Sequence, residues 1–588
     1  MKKTLAAAAL LIAVMLVGGG ILASCAHVCK FGEWQVVTEP TCVSEGLKER
    51  YCTVDGCGEK EQKPIPVDST KHKLEPVDGE DADCTTDGTV AHNHCSLCGK
   101  NFDAQGNELD NVTVPKGHNV DKDSLLCSAC GKYIISTAAD LAAFRDSVNG
   151  GNNYAGKTVV LEADIALTGE WTPIGNEKRS GGDVNKYFKG TFDGQNHKIT
   201  GVNVTDNEDE ACVGLFGVTA NAAIKNLTVK GSFTNTVDTV AAIVGCDLSA
   251  ADEKTVIDNC SVDATVNGNC VGGIMARAYG TGETVISNCT VDGELTTDAN
   301  GKAGGILCIN AAAKSLTVSE CVNNASVTGG KAGTAGILAY ANKNVTITDC
   351  INNGQIGTAA DRYVAGILGY QAQENVKIQN CVNKGEITGI NAGGIYGIHG
   401  RDQIVTITDC VNNGLVTGNI AGGIASGASG TFTQCVNTAA ISGSASGEGM
   451  AGGIIGTISG GANTTITGCS GGKGTVTAQY AGRLIGVVHN GNPAVAYLSI
   501  DDSNGDSYEN GLSTVGCVGA YTAYSTMVVT EGTMRGKAVS FGQSRGWIVI
   551  SEQAKWMGYD ETAGKTTWNW SYDTNDFEKT NTTPLPLQ

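Results

Sequence analysis

Through the middle of the chain, short β-branched apolar runs alternate with Gly- and Asn-rich turns. VTITDCINNGQI begins at Val345, and VTITDCVNNGLVTG begins at Val405. An Ala-Gly-Ile or Gly-Gly-Ile element recurs with them, and its isoleucines are Ile274, Ile306, Ile337, Ile367, Ile395, Ile424 and Ile454. Their intervals, 28 to 32 residues, give a period near thirty. A period of this length is typical of a solenoid.

Three short strands per period, separated by turns, predict one coil of a parallel β-helix. The helical alternative would need apolar residues at i, i+3 and i+4, and the repeats lack that spacing. Successive coils are expected to pair in parallel, about 4.8 Å apart. About ten coils would then form a rod roughly 50 Å long. The predicted fold class is mainly β.

The alternation of apolar and polar residues breaks at one position in each coil. Val405 and Ile407 are two positions apart, so their side chains face the same side of the strand, which we take to be the interior. Strict alternation would then send Asp409 inward and Cys410 outward. A buried acid beside an exposed thiol is unfavourable, so we expect a corner at Asp409. Asn and Asp tolerate the left-handed conformation that a corner needs. The same column reads Asn259, Asn288, Glu320, Asp349, Asn380, Asp409, Gln434 and Gly468.

After this corner, two side chains of each coil should point into the core. One is a cysteine, in the series Cys260, Cys289, Cys321, Cys350, Cys381, Cys410, Cys435 and Cys469. The other is an asparagine, in the series Asn323, Asn352, Asn383, Asn412 and Asn437. We interpret the cysteines as small core residues and the asparagines as an internal hydrogen-bonded ladder. Disulfides between neighbouring coils remain an alternative for the cysteines.

The N-terminus predicts export. Lys2 and Lys3 precede an apolar run, residues 5–17, which has the length of a signal-peptide core. The tetrapeptide Leu22-Ala23-Ser24-Cys25 then resembles the lipobox of bacterial lipoproteins. The resemblance implies diacylglyceryl transfer to the Cys25 sulfur and cleavage before it. We therefore expect an extracytoplasmic protein at the bacterial cell surface, anchored to the membrane by lipid.

Residues 25–133 contain tandem cysteine-rich modules of roughly 45 residues. A Cys-x2-Cys-Gly turn followed by a histidine suits a structural zinc site, and little apolar sequence is present to supply a core. Disulfides are the competing interpretation in an oxidising exterior. The predicted ligands are Cys42, Cys52, Cys57 and His72 for one zinc ion and Cys84, Cys95, Cys98 and His118 for another. Cys29 or His27 is an alternative opening ligand of the first module, and the arrangement resembles ribbon repeats that act as spacers in bacterial surface proteins.

A helix is predicted to cap the solenoid, starting at Ser136 or Thr137, with Asp140 as a capping-box acid. The runs WTPIGN, YFKGTFDGQNHKITGV, VGLFG and the repeated AGGI resemble the GLUG-repeat surface proteins of gut bacteria. That resemblance implies a right-handed parallel β-helix, a surface location and an adhesin-like role without a settled activity. The expected organisation is a signal peptide (1–24), cysteine-rich modules (25–133), a β-helix with an N-terminal helical cap (134–515) and a C-terminal capping region (516–588).

Composition and charge limit the partners. A formal net charge of −20 argues against nucleic acid, which needs clustered Lys and Arg. Tyr340 and Tyr370 occupy equivalent positions of consecutive coils and are expected to stack on the surface, as a sugar platform or as a purely structural pair. Asp349 and Asp409 are better explained as corners than as catalytic acids.

The favoured function is therefore that of a non-catalytic rod, expected to be monomeric, that binds a glycan or a host surface. We expect structural zinc and no catalytic cofactor. A polysaccharide lyase or glycoside hydrolase acting on the side of the β-helix is the alternative.

Overall fold

A computed structural model gives the fold of the chain. It describes residues 28–175, 186–205, 211–311, 313–400, 403–445, 449–459, 464–471, 474–478, 480–482 and 484–490, together with the strands beyond residue 497 that are given below. The chain divides into two compact units, Met1–Asn119 and Val120–Gln588.

The first unit is built from short antiparallel strands. One three-stranded sheet is formed by Gln35–Thr38, Gly46–Tyr51 and Lys60–Ile65. A four-stranded sheet is formed by Leu74–Val77, His92–Cys95, Asn101–Phe102 and Glu108–Leu109. Gly88–Thr89 pairs with Thr113–Val114. Few apolar side chains are buried by these strands, so the cysteines that lie between them are the natural source of cohesion.

In the second unit, an α-helix precedes the solenoid. It spans Ala138–Asn149, and Thr137 is its N-cap. Asp140 completes the predicted capping box, since each of the two side chains accepts a hydrogen bond from the backbone N–H of the other residue. Leu141, Phe144 and Val148 are buried on one face. The helix thus covers apolar residues at the start of the solenoid, as expected.

The solenoid consists of two parallel sheets, of 31 and 11 strands. The smaller sheet takes one strand from each of about eleven described coils, which confirms the predicted fold class. Its strands are Phe216–Thr219, Val244–Asp247, Met275–Ala278, Leu307–Asn310, Leu338–Ala341, Leu368–Gln371, Tyr396–His399, Ala425–Gly427, Ile455–Ser459, Ile485–Asn490 and Val518–Ala523.

The larger sheet follows the rest of each coil around a corner. Two long strands, Ala223–Ala241 and Lys254–Gly272, begin before the corner and continue through it. The other strands before the corner are Tyr133–Ile135, Thr158–Leu161, Thr191–Asp193, Glu283–Ser287, Ser315–Ser319, Val345–Thr348, Val376–Gln379, Val405–Thr408, Gly430–Thr433, Thr464–Thr467 and Leu498–Asp501. After the corner they are Ile165–Ala166, Lys198–Val204, Cys212–Val213, Thr290–Gly304, Val322–Asn323, Ser326–Thr328, Thr334–Ala335, Ile351–Asn352, Tyr363–Ala365, Val382–Asn383, Ile387–Gly393, Val411–Asn412, Val416–Gly422, Val436–Asn437, Ile441–Ser442, Met450–Gly452, Val476–Thr477 and Tyr480–Gly482.

The corner has the left-handed conformation predicted from the break in alternation. Asp409 has φ +54°, and Val405 and Ile407 before it are buried. All eight residues of the predicted corner column, from Asn259 to Gly468, have φ between +51° and +61°. The backbone therefore reverses the facing of the side chains at this position, which sends the thiol inward and leaves the polar residue outside.

Both internal ladders are present. Each ladder cysteine is buried, and its Sγ donates to the carbonyl oxygen two residues earlier at 3.1–3.5 Å. Each asparagine from Asn323 to Asn412 donates through Nδ2 to Oδ1 of the next asparagine at 2.7–2.8 Å. The five asparagine side chains are buried, and each Nδ2 also donates to the carbonyl oxygen two residues later. The ladders bind consecutive coils together from inside.

The glycine of the Ala-Gly-Ile element is explained by the asparagine ladder. A Cβ added at Gly366 would lie 2.5 Å from Oδ1 of Asn383. Gly305, Gly336, Gly394 and Gly423 face ladder asparagines in the same way. The Gly394 carbonyl oxygen of the next coil lies closer still to the same Cβ position. The glycine is therefore required by the close backbone of the next coil together with the ladder amide, which occupy the space that a side chain would need.

Part of the predicted C-terminal capping region is described. A four-stranded antiparallel sheet is formed by Gly532–Met534, Lys537–Gly542, Trp547–Ile550 and Lys555–Trp556.

Candidate functional sites

Four predicted metal ligands meet in the first unit. Sγ of Cys42 lies 3.7 Å from Sγ of Cys95, and Sγ of Cys98 lies 3.4 Å from Nδ1 of His72. All four ligand atoms lie within 4.8 Å of one another. A tetrahedral zinc ion with bonds of about 2.3 Å to sulfur would hold its ligands roughly 3.8 Å apart. The residues therefore fit one tetrahedral ion.

Antiparallel pairing explains why these four side chains meet. Leu74 pairs with Cys95, so His72, which precedes the first strand, lies beside the turn that follows the second strand. That turn is closed by a hydrogen bond from Gly99 N–H to the Cys95 carbonyl at 2.9 Å, and Gly99 has φ +74°. Cys42 N–H donates to the Lys71 carbonyl at 3.1 Å, which brings its thiol to the same place. The pairing of strands therefore assembles the group.

A second group contains Cys29, Cys52 and Cys57, whose sulfur atoms also lie within 4.8 Å of one another. An antiparallel bridge between Phe31 and Cys52 holds the N-terminal segment beside this turn. Sγ of Cys29 lies 3.7 Å from Sγ of Cys57. Cys29 thus takes the place predicted for an opening ligand of this group. His27, its sequence alternative, lies outside the described residues.

The grouping differs from the sequence expectation. We expected Cys42 and His72 to share an ion with Cys52 and Cys57, but they lie with Cys95 and Cys98. Cys84 and His118 were expected to share an ion with Cys95 and Cys98, but they belong to neither of the two groups described above. Their own ligand atoms lie within 4.8 Å of each other. The reason is that ligands are collected across the pairing of strands, whereas the sequence argument assumed that each module closes on itself. Metal binding itself stays a prediction.

The chemistry of the first group suits a cation. Burial opposes ionisation of the Cys95 thiol, but N–H groups of Cys98 and Leu97 and the side chains of Cys98 and His72 outweigh it and lower its pKa to about 6. Burial and the neighbouring Cys95 raise the pKa of Cys42 to about 11. Adjacent thiols thus resist a second negative charge, and a divalent cation would remove that obstacle.

On the solenoid surface, three tyrosines form an aromatic patch. Tyr340 pairs in register with Tyr370 on the next coil, and their rings stack with centroids 5.2 Å apart. The Tyr363 ring lies 5.0 Å from that of Tyr370. All three side chains are partly exposed. Ile309 and Ile398 continue the column on either side, so the aromatic part is limited to these coils.

Two cations border this patch. Nζ of Lys302 lies 5.3 Å from the Tyr340 ring centre, and Cζ of Arg362 lies 5.1 Å from that of Tyr363. Sequence reasoning missed Tyr363, Lys302 and Arg362, because they stand outside the repeated isoleucine element. Tyr363 and Lys302 lie in strands of the larger sheet, and Arg362 immediately precedes one of them. The only sequence signal was the tripeptide Asp361-Arg362-Tyr363, which interrupts the repeat.

The carboxylates considered for catalysis are corner residues. Asp349 has φ +56°, and its Oδ1 accepts from Nδ2 of Asn380 at 3.2 Å. Asp409, two coils along, has the same conformation. Their positions are thus explained by the turn, and neither geometry requires a catalytic role.

Among the described residues, no helix is both long and apolar enough to cross a membrane. Cys25 and the rest of the signal sequence lie outside the described residues.

No family model matches the chain, and no curated protein matches it. The solved structures that it resembles include a candidate immunoglobulin A1 protease from Bacteroides ovatus, with 18% identity over 52% of this chain and 75% of that chain and a TM-score of 0.29. Another is an IgA1 protease, with 16% identity over 73% of this chain and 29% of that chain and a TM-score of 0.30. At these values the likenesses carry no functional argument, and the GLUG-repeat resemblance stays an expectation.

Proposed function

We propose that this chain is a non-catalytic surface protein whose β-solenoid binds a glycan. The observation that supports this is the patch of Tyr340, Tyr363 and Tyr370 with Lys302 and Arg362 at its border. Stacked phenol rings offer an apolar face to the C–H groups of a sugar, and the phenol hydroxyls can bond to its hydroxyls. The two cations favour sugars that carry a carboxylate or sulfate group.

The first unit would serve as a spacer stabilised by zinc. Its cysteine and histidine groups can bind a metal ion, and zinc is the ion that sulfur and nitrogen ligands in a tetrahedral arrangement favour. The rod would then hold the patch away from the membrane as a monomer.

The glycan proposal predicts the effect of removing the stacked pair. Changing Tyr340→Ser together with Tyr370→Ser should weaken binding to acidic glycans on an array roughly five- to 150-fold, because two ring contacts of about 0.5–1.5 kcal/mol each contribute about 1–3 kcal/mol together. Tyr279→Ser is the matched control, since that tyrosine is 55% exposed and follows another strand of the same sheet. If the double variant binds as tightly as the control while its melting temperature falls only slightly, the pair is structural.

Membrane attachment through Cys25 is proposed on the Leu22-Ala23-Ser24-Cys25 sequence. Cells that produce the protein should incorporate a fatty-acid analogue into it, and Cys25→Ala should abolish the label. A label that persists in this variant would mean that another residue is modified.

A further inference from the structure

Two cysteines outside the thiol ladder face each other inside the solenoid. Sγ of Cys270 lies 2.8 Å from Sγ of Cys308, and the two residues are 2% and 0% exposed. The cysteine pairs of the first unit that suit a metal are 3.7 Å apart. Sulfur atoms joined by a disulfide are about 2.0 Å apart, so a movement of about 0.8 Å would allow the bond.

A disulfide earlier in the solenoid begins in the same column as Cys270. Cys212 is bonded to Cys246, and these residues lie 34 apart in the sequence. Cys212 pairs in register with Thr239, and Thr239 pairs with Cys270, so the two cysteines occupy one column two coils apart. In both cases the first cysteine precedes the small-sheet strand of its own coil.

The second cysteines of the two pairs both lie in small-sheet strands, but they are one residue apart in register. Cys246 lies in the small-sheet strand of the next coil and pairs with Arg277. Arg277 pairs with Ile309, the residue that follows Cys308. Each pair therefore links the larger sheet of one coil to the smaller sheet of the next.

We propose that Cys270 and Cys308 form a second disulfide which, like Cys212–Cys246, links the larger sheet of one coil to the smaller sheet of the next. Both bonds would tie consecutive coils at the N-terminal half of the solenoid, where the asparagine ladder has not yet begun at Asn323.

The surroundings support oxidation of this pair. Burial disfavours the Cys270 thiolate, but the hydrogen bond with Cys308 and the charge of Arg277 outweigh it, so the pKa of Cys270 lies below its usual value. Arg277 is ion-paired with Asp238 at 3.5 Å, which holds the guanidinium in place. The thiolate is the reactive form in thiol–disulfide exchange.

The reaction needs an external disulfide as oxidant. The Cys270 thiolate attacks one sulfur of that molecule, which forms a mixed disulfide and releases one thiolate. Cys308 then loses its proton and attacks the Cys270 sulfur, which releases the second thiolate. Two protein thiols lose two electrons and two protons, and the external disulfide is reduced to two thiols. Because both sulfur atoms are buried, exchange takes place while the coils assemble.

Peptide mapping of the full chain tests the proposal. The reduced, unfolded protein is refolded with increasing oxidised glutathione until the Cys212–Cys246 link is complete, and is then alkylated in denaturant and digested with trypsin. Peptides 255–277 and 303–314 should be joined and should lack two hydrogens, and reduction should separate them. Finding both cysteines alkylated once the first link is complete would overturn the proposal.

Two variants identify the partner. Peptide 255–277 also contains the ladder cysteine Cys260, so Cys260→Ala should keep the link. Cys270→Ala should abolish it while Cys212–Cys246 still forms. A link that survives Cys270→Ala but not Cys260→Ala would show that the ladder cysteine is the partner and would equally reject the proposal.

Discussion

Replacing Cys95 by serine is expected to remove one zinc ion per chain and to unfold the four-stranded sheet of the first unit. Structural zinc contributes about 10–16 kcal/mol of apparent binding free energy, which exceeds what so small an apolar core provides. Metal analysis of the full chain, purified without oxygen, measures the ion. Amide exchange along Leu74–Val77 and His92–Cys95 measures the unfolding.

A double variant tests which ligands share the ion. If Cys42 and Cys95 bind the same ion, Cys42→Ser with Cys95→Ser should lose one ion, as each single change does. The grouping expected from the sequence would lose two. Ser96→Ala, an exposed neighbour in the same turn, should lose none. Wild-type protein without metal, with these thiols oxidised to disulfides, would contradict the zinc assignment.

Replacing Asn383 by alanine is expected to destabilise the solenoid by about 3–5 kcal/mol. Its side chain donates to Oδ1 of Asn412 and to the Gly385 carbonyl and accepts from Nδ2 of Asn352, at 2.7–2.9 Å. All three bonds are buried, so their partners would lose hydrogen bonds with no access to water. At about 1 kcal/mol for each unmade bond, the low end of the usual range, the three bonds account for about 3 kcal/mol, and the cavity adds to this. Denaturant unfolding monitored by far-UV circular dichroism measures the change.

Asn353→Ala provides the matched control. Asn353 lies one residue after the internal ladder and makes a similar amide bond, to Asn324 Oδ1 at 2.8 Å, but on the exposed side. Its loss should cost less than about 0.5 kcal/mol, because water replaces the partner. Equal effects of the control and of Asn383→Ala would mean that the internal ladder contributes little to stability.

The repeat pattern predicted the interior of the solenoid correctly because one rule applies to every coil. Asp409 and Cys410 could not both satisfy strict alternation, so a left-handed corner followed from burial alone. Once the corner is placed, the inward directions of Cys410 and Asn412 follow from parity. Because asparagines stack on one another in successive coils, each side-chain N–H is placed to donate to the amide oxygen of the next asparagine, as Asn412 does to Asn437.

The metal groups could not be assigned in this way. Cys42 and Cys95 are 53 residues apart, and no periodic rule joins them. Only the antiparallel pairing of Leu74 with Cys95 selects this combination. The residues were identifiable from their type and spacing, but their partners depend on how the strands pair.

The solenoid, its corners and its two internal ladders follow from the sequence, because local alternation and a thirty-residue period constrain every coil alike. Three features are visible only in the folded chain: which cysteines and histidines share a group, which residues join Tyr340 and Tyr370 at the surface, and that Cys270 faces Cys308. These contacts join residues of different strands and different columns. Their partners are therefore set by three-dimensional packing, which a repeating one-dimensional pattern does not encode.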